Sequence, residues 1–106
     1  MEKLNFGNIV LLNFPYTDSK TFKKRPALLI KDSEDGDIIV CRITSKIYNT
    51  KYDVLITDWE NAGLMLPTVI RVHKIASLEK SMIHIILGHI NTADKNKVRA
   101  AFKTLM

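Results

Sequence analysis

Short stretches rich in β-branched and aromatic residues recur along the chain between residues 7 and 90, with polar turns between them. Stretches of this length and composition are typical of β-strands. They predict strands at residues 7–14, 25–31, 37–44 and 51–57, around 69–75, and within 82–90. Pro15 is expected to end the first strand, and Pro26 is tolerated at the beginning of the second. Gly36 supplies the permissive dihedral that the turn DSEDG needs.

Residues 91–105 follow a different period. Apolar side chains recur there at helical spacing, at Val98, Ala101, Phe102 and Leu105. The pattern predicts one amphipathic helix with this face in the core. Its expected N-cap is Thr92, and Asp94 lies in the first turn, where the helix dipole favours a carboxylate. Many short strands and one terminal helix predict a mostly β fold, a small antiparallel barrel or curled sheet, in a single domain over residues 1–106.

Composition narrows the class of protein. The 106 residues suffice for one ordinary domain, and a hydrophobic fraction of 46% is typical of a globular core. Cys41 is the only cysteine, so no disulfide forms within the chain, which fits a reducing compartment. There is no apolar leader before Pro15 and no apolar run of membrane-spanning length. These features predict a soluble cytoplasmic protein without a membrane partner.

Charge is unevenly distributed along the chain. Lysine and arginine number 16 against 11 acids, and the net charge of +5 suits an anionic partner or serves solubility alone. Acids crowd into residues 32–37, at the turn between the second and third predicted strands. Two hairpin registers fit this turn, and they place Arg25 opposite Thr44 or opposite Lys46. Both registers predict a cluster of cations and hydroxyls at the end of the hairpin farthest from the acidic turn.

An arginine in this cluster suits a phosphate. Its planar fork of donors matches phosphate oxygens, and Thr44 and Ser45 add short hydroxyl donors. The alternative is that Arg25 pairs with a structural carboxylate and that Thr44 is only a good strand former. These residues alone do not separate the two interpretations.

Several segments together resemble the MazF/PemK family of toxin endoribonucleases, the mRNA interferases of type II toxin–antitoxin systems. In the order of that family they are GNIVLLNFPYTD, KKRPALLI, CRITS, AGLMLPTVIRVHKI and LGHI before the helix. The resemblance implies an SH3-like β-barrel with a C-terminal helix, as in MazF, PemK and CcdB, and a homodimer. It also implies sequence-selective cleavage of single-stranded mRNA without a metal ion or other cofactor, and a cognate antitoxin whose acidic tail covers the basic groove.

The resemblance also assigns roles to individual residues. The family's essential arginine before a proline matches Arg25, its essential threonine matches Thr44, and the later arginine of PemK-like members matches Arg71. Many relatives carry an acid two residues after that arginine, where this chain has His73. These four residues form the predicted catalytic set. The predicted RNA-binding residues are Ser45, Lys46, Lys24, Lys23 and Tyr16.

RNA cleavage without a metal ion proceeds by attack of the ribose 2′-OH on its own phosphate, which yields a cyclic phosphate and a 5′-OH. The reaction needs a base, an acid and donors to the phosphate oxygens. Arg25 suits the anion, Thr44 a non-bridging oxygen, and His73 proton transfer near neutral pH. The alternative for His73 is a packed or surface histidine. Tyr16 either stacks a base or packs at the edge of the core.

Two rival functions fit the same residues. One is a non-catalytic toxin of the same fold that binds a protein such as DNA gyrase, as the related CcdB toxins do. The other is a plain nucleic-acid-binding SH3-like module. With a single cysteine and no HExxH motif, no metal site is predicted.

Overall fold

The computed structural model describes residues 3–15 and 22–106. Six strands form one antiparallel sheet in the order β4-β5-β3-β2-β1-β6. They are β1 (Asn8–Pro15), β2 (Phe22–Asp32), β3 (Asp37–Thr44), β4 (Asp53–Leu55), β5 (Val69–Glu79) and β6 (Ile83–His89). A short 3₁₀ turn at Lys80–Met82 joins the last two strands, and helix α1 (Thr92–Lys103) follows β6. The predicted mostly antiparallel β fold with a C-terminal helix is confirmed.

Alternate residues of the central strands enter two separate cores, one on each face of the sheet. The core on the side of α1 contains Ile9, Leu28, Cys41, Ile43, Ile70, Val72 and Val98. The core on the opposite face contains Leu4, Val10, Leu12, Ala27, Leu29, Ile38, Val40 and Ile83. Because successive strand residues point to opposite faces, burial on both faces explains why ALLI and IIVC are apolar at consecutive positions.

The β2–β3 hairpin follows the first of the two predicted registers near the cation cluster. The pairs there are Ala27–Arg42, Leu28–Cys41 and Leu29–Val40. A bulge between Leu29 and Lys31 then shifts the pairing, so that Asp32 faces Ile38 and not Asp37. Gly36 has the predicted positive φ, at 96°. Lys80 donates to the Asp32 carboxylate at 2.7 Å, which ties the acidic turn to the end of β5.

Pro26 explains how the hairpin opens at the Arg25 end. Strand β2 begins at Phe22, three residues earlier than predicted, and its pairing with β3 ends at Ala27. Pro26 has no N–H with which to extend that ladder. Beyond it, β2 pairs with β1 alone, with Arg25 opposite Leu12. Because the ladder stops at Ala27, the beginning of β2, which carries Arg25, is not paired with the last residue of β3, Thr44.

Two other predictions about the strands were wrong in their bounds. The fourth strand is only Asp53–Leu55, because backbone turns flank it, with Asp53 N–H donating to Thr50 and Ala62 N–H donating to Asp58. Strand β5 continues past residue 75 to Glu79 because it pairs with the whole of β3.

A helix forms where it was predicted, but its N-cap is a different residue. Asn91, and not Thr92, is the N-cap, and its side-chain oxygen accepts from Asp94 N–H at 2.8 Å. Leu105 lies beyond the helix and is 38% exposed, so it is not part of the core. Val98 and Ala101 are buried as predicted. Asp94 is fully buried and accepts from Thr57 N–H at 2.9 Å, which fastens the segment after β4 to the helix.

Candidate active site

A pocket of about 320 Å³ lies at the Arg25 end of the hairpin. Three strands supply one cation each to its wall: Arg25 from β2, Arg42 from β3 and Lys74 from β5. Thr44 lies beside them, and the rest of the wall is apolar, from Leu12, Phe14, Pro26, Ala27, Val40, Ile43, Ala76 and Leu78. No carboxylate is among these lining residues. A concave site whose described wall holds three cations and no acid favours an anionic ligand.

The alternative role for Arg25, pairing with a structural carboxylate, finds no support in the described part of the chain. The ion pairs there are Arg71–Asp53 and Lys80–Asp32. Neither involves Arg25, which is exposed and faces the pocket. The guanidinium therefore retains donors for a ligand.

Thr44, the last residue of β3, has its hydroxyl oriented by the backbone. The Thr44 Oγ1 accepts from Lys46 N–H at 3.1 Å. A hydroxyl that accepts one hydrogen bond still has its own proton to donate. Thr44 also borders a second, more apolar pocket of about 500 Å³, which contains Ser45, Met65 and Leu66. Ser45 thus lies in this neighbouring pocket and not in the Arg25 pocket.

A bulge in β5 decides which side chain of VHK enters the Arg25 pocket. Pairing passes from Arg42–Arg71 to Cys41–Ile75, so three residues of β5 lie against a single step of β3. Lys74 lines the pocket. His73 is half-buried beside Tyr52, with ring centroids 4.9 Å apart, and in the described part of the chain its buried Nδ1 has no hydrogen-bond partner. Nε2 is therefore the ring nitrogen through which His73 can exchange a proton with a ligand.

Arg71 holds the segment between β3 and β4. Its Nε donates to Asp53 Oδ1 at 3.0 Å, and the two side chains are 13% and 1% exposed. Asp53 Oδ2 in turn accepts from the N–H and the hydroxyl of Thr50 at 3.0 and 2.6 Å. Burial raises the pKa of Asp53, but the hydrogen bonds from Thr50 and Arg71 outweigh burial, so the pKa lies below its ordinary value. The predicted catalytic arginine is thus also part of a fixed ion pair.

Tyr48 completes this cluster. The guanidinium carbon of Arg71 lies 3.6 Å from the centroid of the Tyr48 ring, and the Lys46 ammonium lies 5.1 Å from it. A hydrogen bond from Lys46, together with the charges of Lys46, Arg71 and Arg42, lowers the pKa of the Tyr48 phenol. The predicted RNA-binding residue Lys46 thus contacts both neighbours: its N–H donates to Thr44 and its ammonium faces the Tyr48 ring.

The remaining predicted residues lie apart from the pocket wall or outside the described residues. Lys23 and Lys24 are exposed at the beginning of β2. Tyr16 falls outside the described residues. Phe14, separated from Tyr16 in the sequence only by Pro15, lines the pocket and packs against the core on the face opposite the helix.

Sequence reasoning missed Arg42, Lys74, Tyr48 and Asp53. Arg42 could have been predicted from the sequence, because it lies two positions before Thr44 in the same strand and therefore on the same face of the sheet. The other three depend on a bulge and on a turn with no sequence motif of its own.

Residues 3–15 and 22–106 contain neither a cluster of metal ligands nor a membrane-spanning helix. No three His, Cys, Asp or Glu side chains lie together as ligands for a metal ion. No helix there is long and apolar enough to cross a membrane.

Comparison with known proteins gives one family and one fold. The model of the PemK-like, MazF-like toxins of type II toxin–antitoxin systems matches residues 5–106. No curated protein sequence matches the chain.

Among solved structures, MazE–MazF (Form-II) from Deinococcus radiodurans has a TM-score of 0.79 at 20% identity, over 99% of this chain and 96% of that chain. An endoribonuclease from a mycobacterial species has a TM-score of 0.77 at 18% identity, over 98% and 91%. A mycobacterial endoribonuclease in complex with its cognate antitoxin has a TM-score of 0.75 at 18% identity, over 96% and 93%. At these identities the similarity shows the fold.

Proposed function

The chain belongs to the PemK-like, MazF-like toxin family of type II toxin–antitoxin systems, and from that premise we propose that it is a sequence-selective endoribonuclease that cleaves single-stranded mRNA. The observation that carries this proposal is the pocket in which Arg25, Arg42 and Lys74 surround Thr44, with no carboxylate among the described residues of the wall. Three cations match the charge that gathers on a phosphate under attack, and a hydroxyl adds a directed donor.

The proposed reaction uses the ribose 2′-OH as nucleophile, so no metal-bound hydroxide is required. The O2′–P bond forms while the P–O5′ bond breaks, which gives a 2′,3′-cyclic phosphate and a 5′-OH. Arg25 binds the non-bridging oxygens with its planar fork, and Thr44 donates to one of them. His73 takes the proton of the 2′-OH through Nε2. Arg71 supports the site by fixing the segment that carries Lys46.

The partners proposed with this function are single-stranded RNA and a cognate antitoxin, in the cytoplasm. The complex of a mycobacterial endoribonuclease with its antitoxin supports the second partner by analogy. A homodimer is proposed on the same basis of family membership. Met65 and Leu66, which are 88% and 58% exposed beside Thr44, are apolar surface that an assembly would cover.

The deciding experiment compares two RNAs with the purified protein in EDTA. One is a long single-stranded RNA. The other has a 2′-deoxy nucleotide on the 5′ side of the mapped cut. We expect discrete fragments from the first and binding without cleavage at that position from the second. Cleavage of the deoxy substrate at a comparable rate would exclude attack by the 2′-OH. Intact RNA with retained binding would favour the nucleic-acid-binding module, and intact RNA without binding would favour a toxin directed at a protein.

A further inference from the structure

Tyr48 lies in an unusual concentration of positive charge. The charged groups that face it are Lys46 on its own segment, Arg71 on β5 and Arg42 on β3. The nearby acid, Asp53, has its carboxylate bound by Arg71 and Thr50. A tyrosine surrounded in this way has a phenolate form that its neighbours stabilise.

The segment that carries Tyr48 is anchored on both sides. Before it, Thr44 Oγ1 accepts from Lys46 N–H at 3.1 Å. After it, Asp53 binds both Thr50 and Arg71. The ring itself rests on the Arg71 guanidinium at 3.6 Å. Arg71 is paired with Arg42 across β5 and β3, and Arg42 lines the Arg25 pocket, so the ring of Tyr48 lies one side chain away from the phosphate site.

The proposed reaction leaves one chemical role without a residue, because the departing 5′-oxygen needs a proton. Arginine is too weak an acid to supply it. In the proposed reaction Thr44 already binds a phosphate oxygen and His73 already takes the proton of the 2′-OH, so neither residue is assigned to the leaving oxygen. Tyr48 carries a hydroxyl on a ring that rests on Arg71, and Arg71 is paired with Arg42, which lines the Arg25 pocket.

We propose that Tyr48 is the proton donor to the leaving 5′-oxygen, an inference that rests on the proposed endoribonuclease function. As the P–O5′ bond breaks, its electron pair passes to O5′, which takes the phenolic proton of Tyr48. The resulting phenolate is stabilised by the three cations and recovers a proton from water. The proton of the attacking 2′-OH passes to His73 and from there to water, so the enzyme returns to its starting state.

A substitution that removes only the hydroxyl tests this role. Tyr48→Phe keeps the ring on Arg71 and so preserves the fold. Single-turnover cleavage is measured on an ordinary RNA and on the same RNA with sulfur in place of the bridging 5′-oxygen at the cut. A thiolate leaves without protonation, so it needs no acid. We expect Tyr48→Phe to be slower by about 10²- to 10⁴-fold on the oxygen substrate and nearly as fast as wild type on the sulfur substrate.

Arg99→Ala on the exposed side of α1 is the control, because it removes a cation that is not among those facing Tyr48. We expect it to resemble wild type on both substrates. The pH profile gives a second measurement. The wild-type rate should fall at alkaline pH, where Tyr48 loses its proton, and Tyr48→Phe should lack this fall.

Three outcomes would overturn the proposal. A wild-type rate for Tyr48→Phe with a slow Tyr48→Leu would make the ring a stacking surface. An equal loss on both substrates would make Tyr48 a positioning residue. Failure of the wild-type protein to cleave either RNA would overturn the proposed function and this inference with it, whereas the first two outcomes overturn the inference alone.

Discussion

At the scale of single residues, the two arginines of the predicted catalytic set, Arg25 and Arg71, have different roles. Arg25 is exposed to the pocket, and no described carboxylate pairs with it. Arg71 is 13% exposed and occupied by Asp53 and Tyr48. Arg25 is therefore positioned to respond to a ligand, whereas Arg71 mainly fixes the segment beside it.

Arg25→Ala is expected to lower the cleavage rate by about 10²-fold or more, because it removes a donor to the phosphate in the transition state. Arg25→Lys should restore only part of the rate, since a point charge does not replace a planar fork. The measurement is single-turnover cleavage, with thermal unfolding to verify the fold. Arg99→Ala on the exposed side of α1 is the matched control. Full activity in Arg25→Ala would return Arg25 to a purely structural role.

Asp53→Asn is expected to lower the free energy of unfolding at pH 7 by about 1.5–3 kcal/mol, the range for hydrogen bonds to charged groups. The pKa of Asp53 is lower in the folded state than in the unfolded chain. Its ionised form therefore stabilises the fold above about pH 4, the unfolded value, and this stability is lost as the pH falls through the folded pKa. Urea unfolding at pH 7 and pH 3 should show the two proteins converging at the lower pH.

The exposed carboxylate of Asp58 provides the control for that measurement, because among the described residues it accepts from a neighbouring side chain, Asn61, at the surface. Asp58→Asn should change little at either pH. A difference between wild type and Asp53→Asn that stays constant from pH 7 to pH 3 would contradict the account of the Arg71–Asp53 pair.

At the scale of elements, one backbone crossing forms part of the wall beside Thr44. The turn at Ala62 and Gly63 passes directly against Leu87 and Gly88 of β6. A Cβ at Gly88 would lie 2.6 Å from the carbonyl oxygen of Ala62, which is backbone and cannot swing away. The two glycines lie in the segments AGLMLP and LGHI, so this close contact explains why each segment has a glycine at that position. It also places Met65 and Leu66 in the pocket next to Thr44.

Gly88→Ala is expected to destabilise the protein by about 1–3 kcal/mol, the usual cost of overpacking, because either β6 or the turn must move. Gly36→Asn is the comparison, since a side chain there meets nothing within 4 Å and Asn tolerates the positive φ of 96°. Urea unfolding of both variants measures the difference. Equal stability of Gly88→Ala and wild type would mean that this crossing is loose.

At the scale of the whole molecule, charge is separated along the hairpin. Asp32, Asp35 and Asp37 lie at its turn, and the pocket cations Arg25 and Arg42 lie at the other end. A net charge of +5 spread evenly would attract any polyanion weakly. Concentrated in a concave site, the same charge directs the phosphate backbone toward Thr44.

Binding of an uncleavable 2′-deoxy strand should therefore weaken as salt rises, with a slope of about −0.7 per phosphate contact in a plot of log affinity against log salt. Replacing Arg25 or Arg42 by Ala should reduce the magnitude of the slope by roughly one contact. Arg99→Ala should leave it unchanged. Fluorescence anisotropy between low and physiological salt makes the measurement, and a slope that none of the pocket substitutions changes would place the RNA elsewhere.

The sequence alone determined the end of the hairpin at which Arg25 and Thr44 lie. This inference needed only the register of two neighbouring strands and the period of two in strand side chains, and both are local properties of the chain. The positions of the antiparallel strands and of the helix followed from the same periods. The pocket that forms around Arg25 and Thr44 also takes residues from two further strands, β1 and β5, and could not be predicted from the pattern.

Only the tertiary structure decided which other residues join the Arg25 pocket. Simple alternation along β5 places Arg71 and His73 on one face, but the bulge opposite Arg42 carries Lys74 into the pocket and leaves His73 beside Tyr52. The ring of Tyr48 reaches Arg71 because Thr50 and Asp53 fold the intervening segment back. Bulges and such turns depend on how distant segments pack, and the free energy that fixes them comes from those contacts and not from the local sequence.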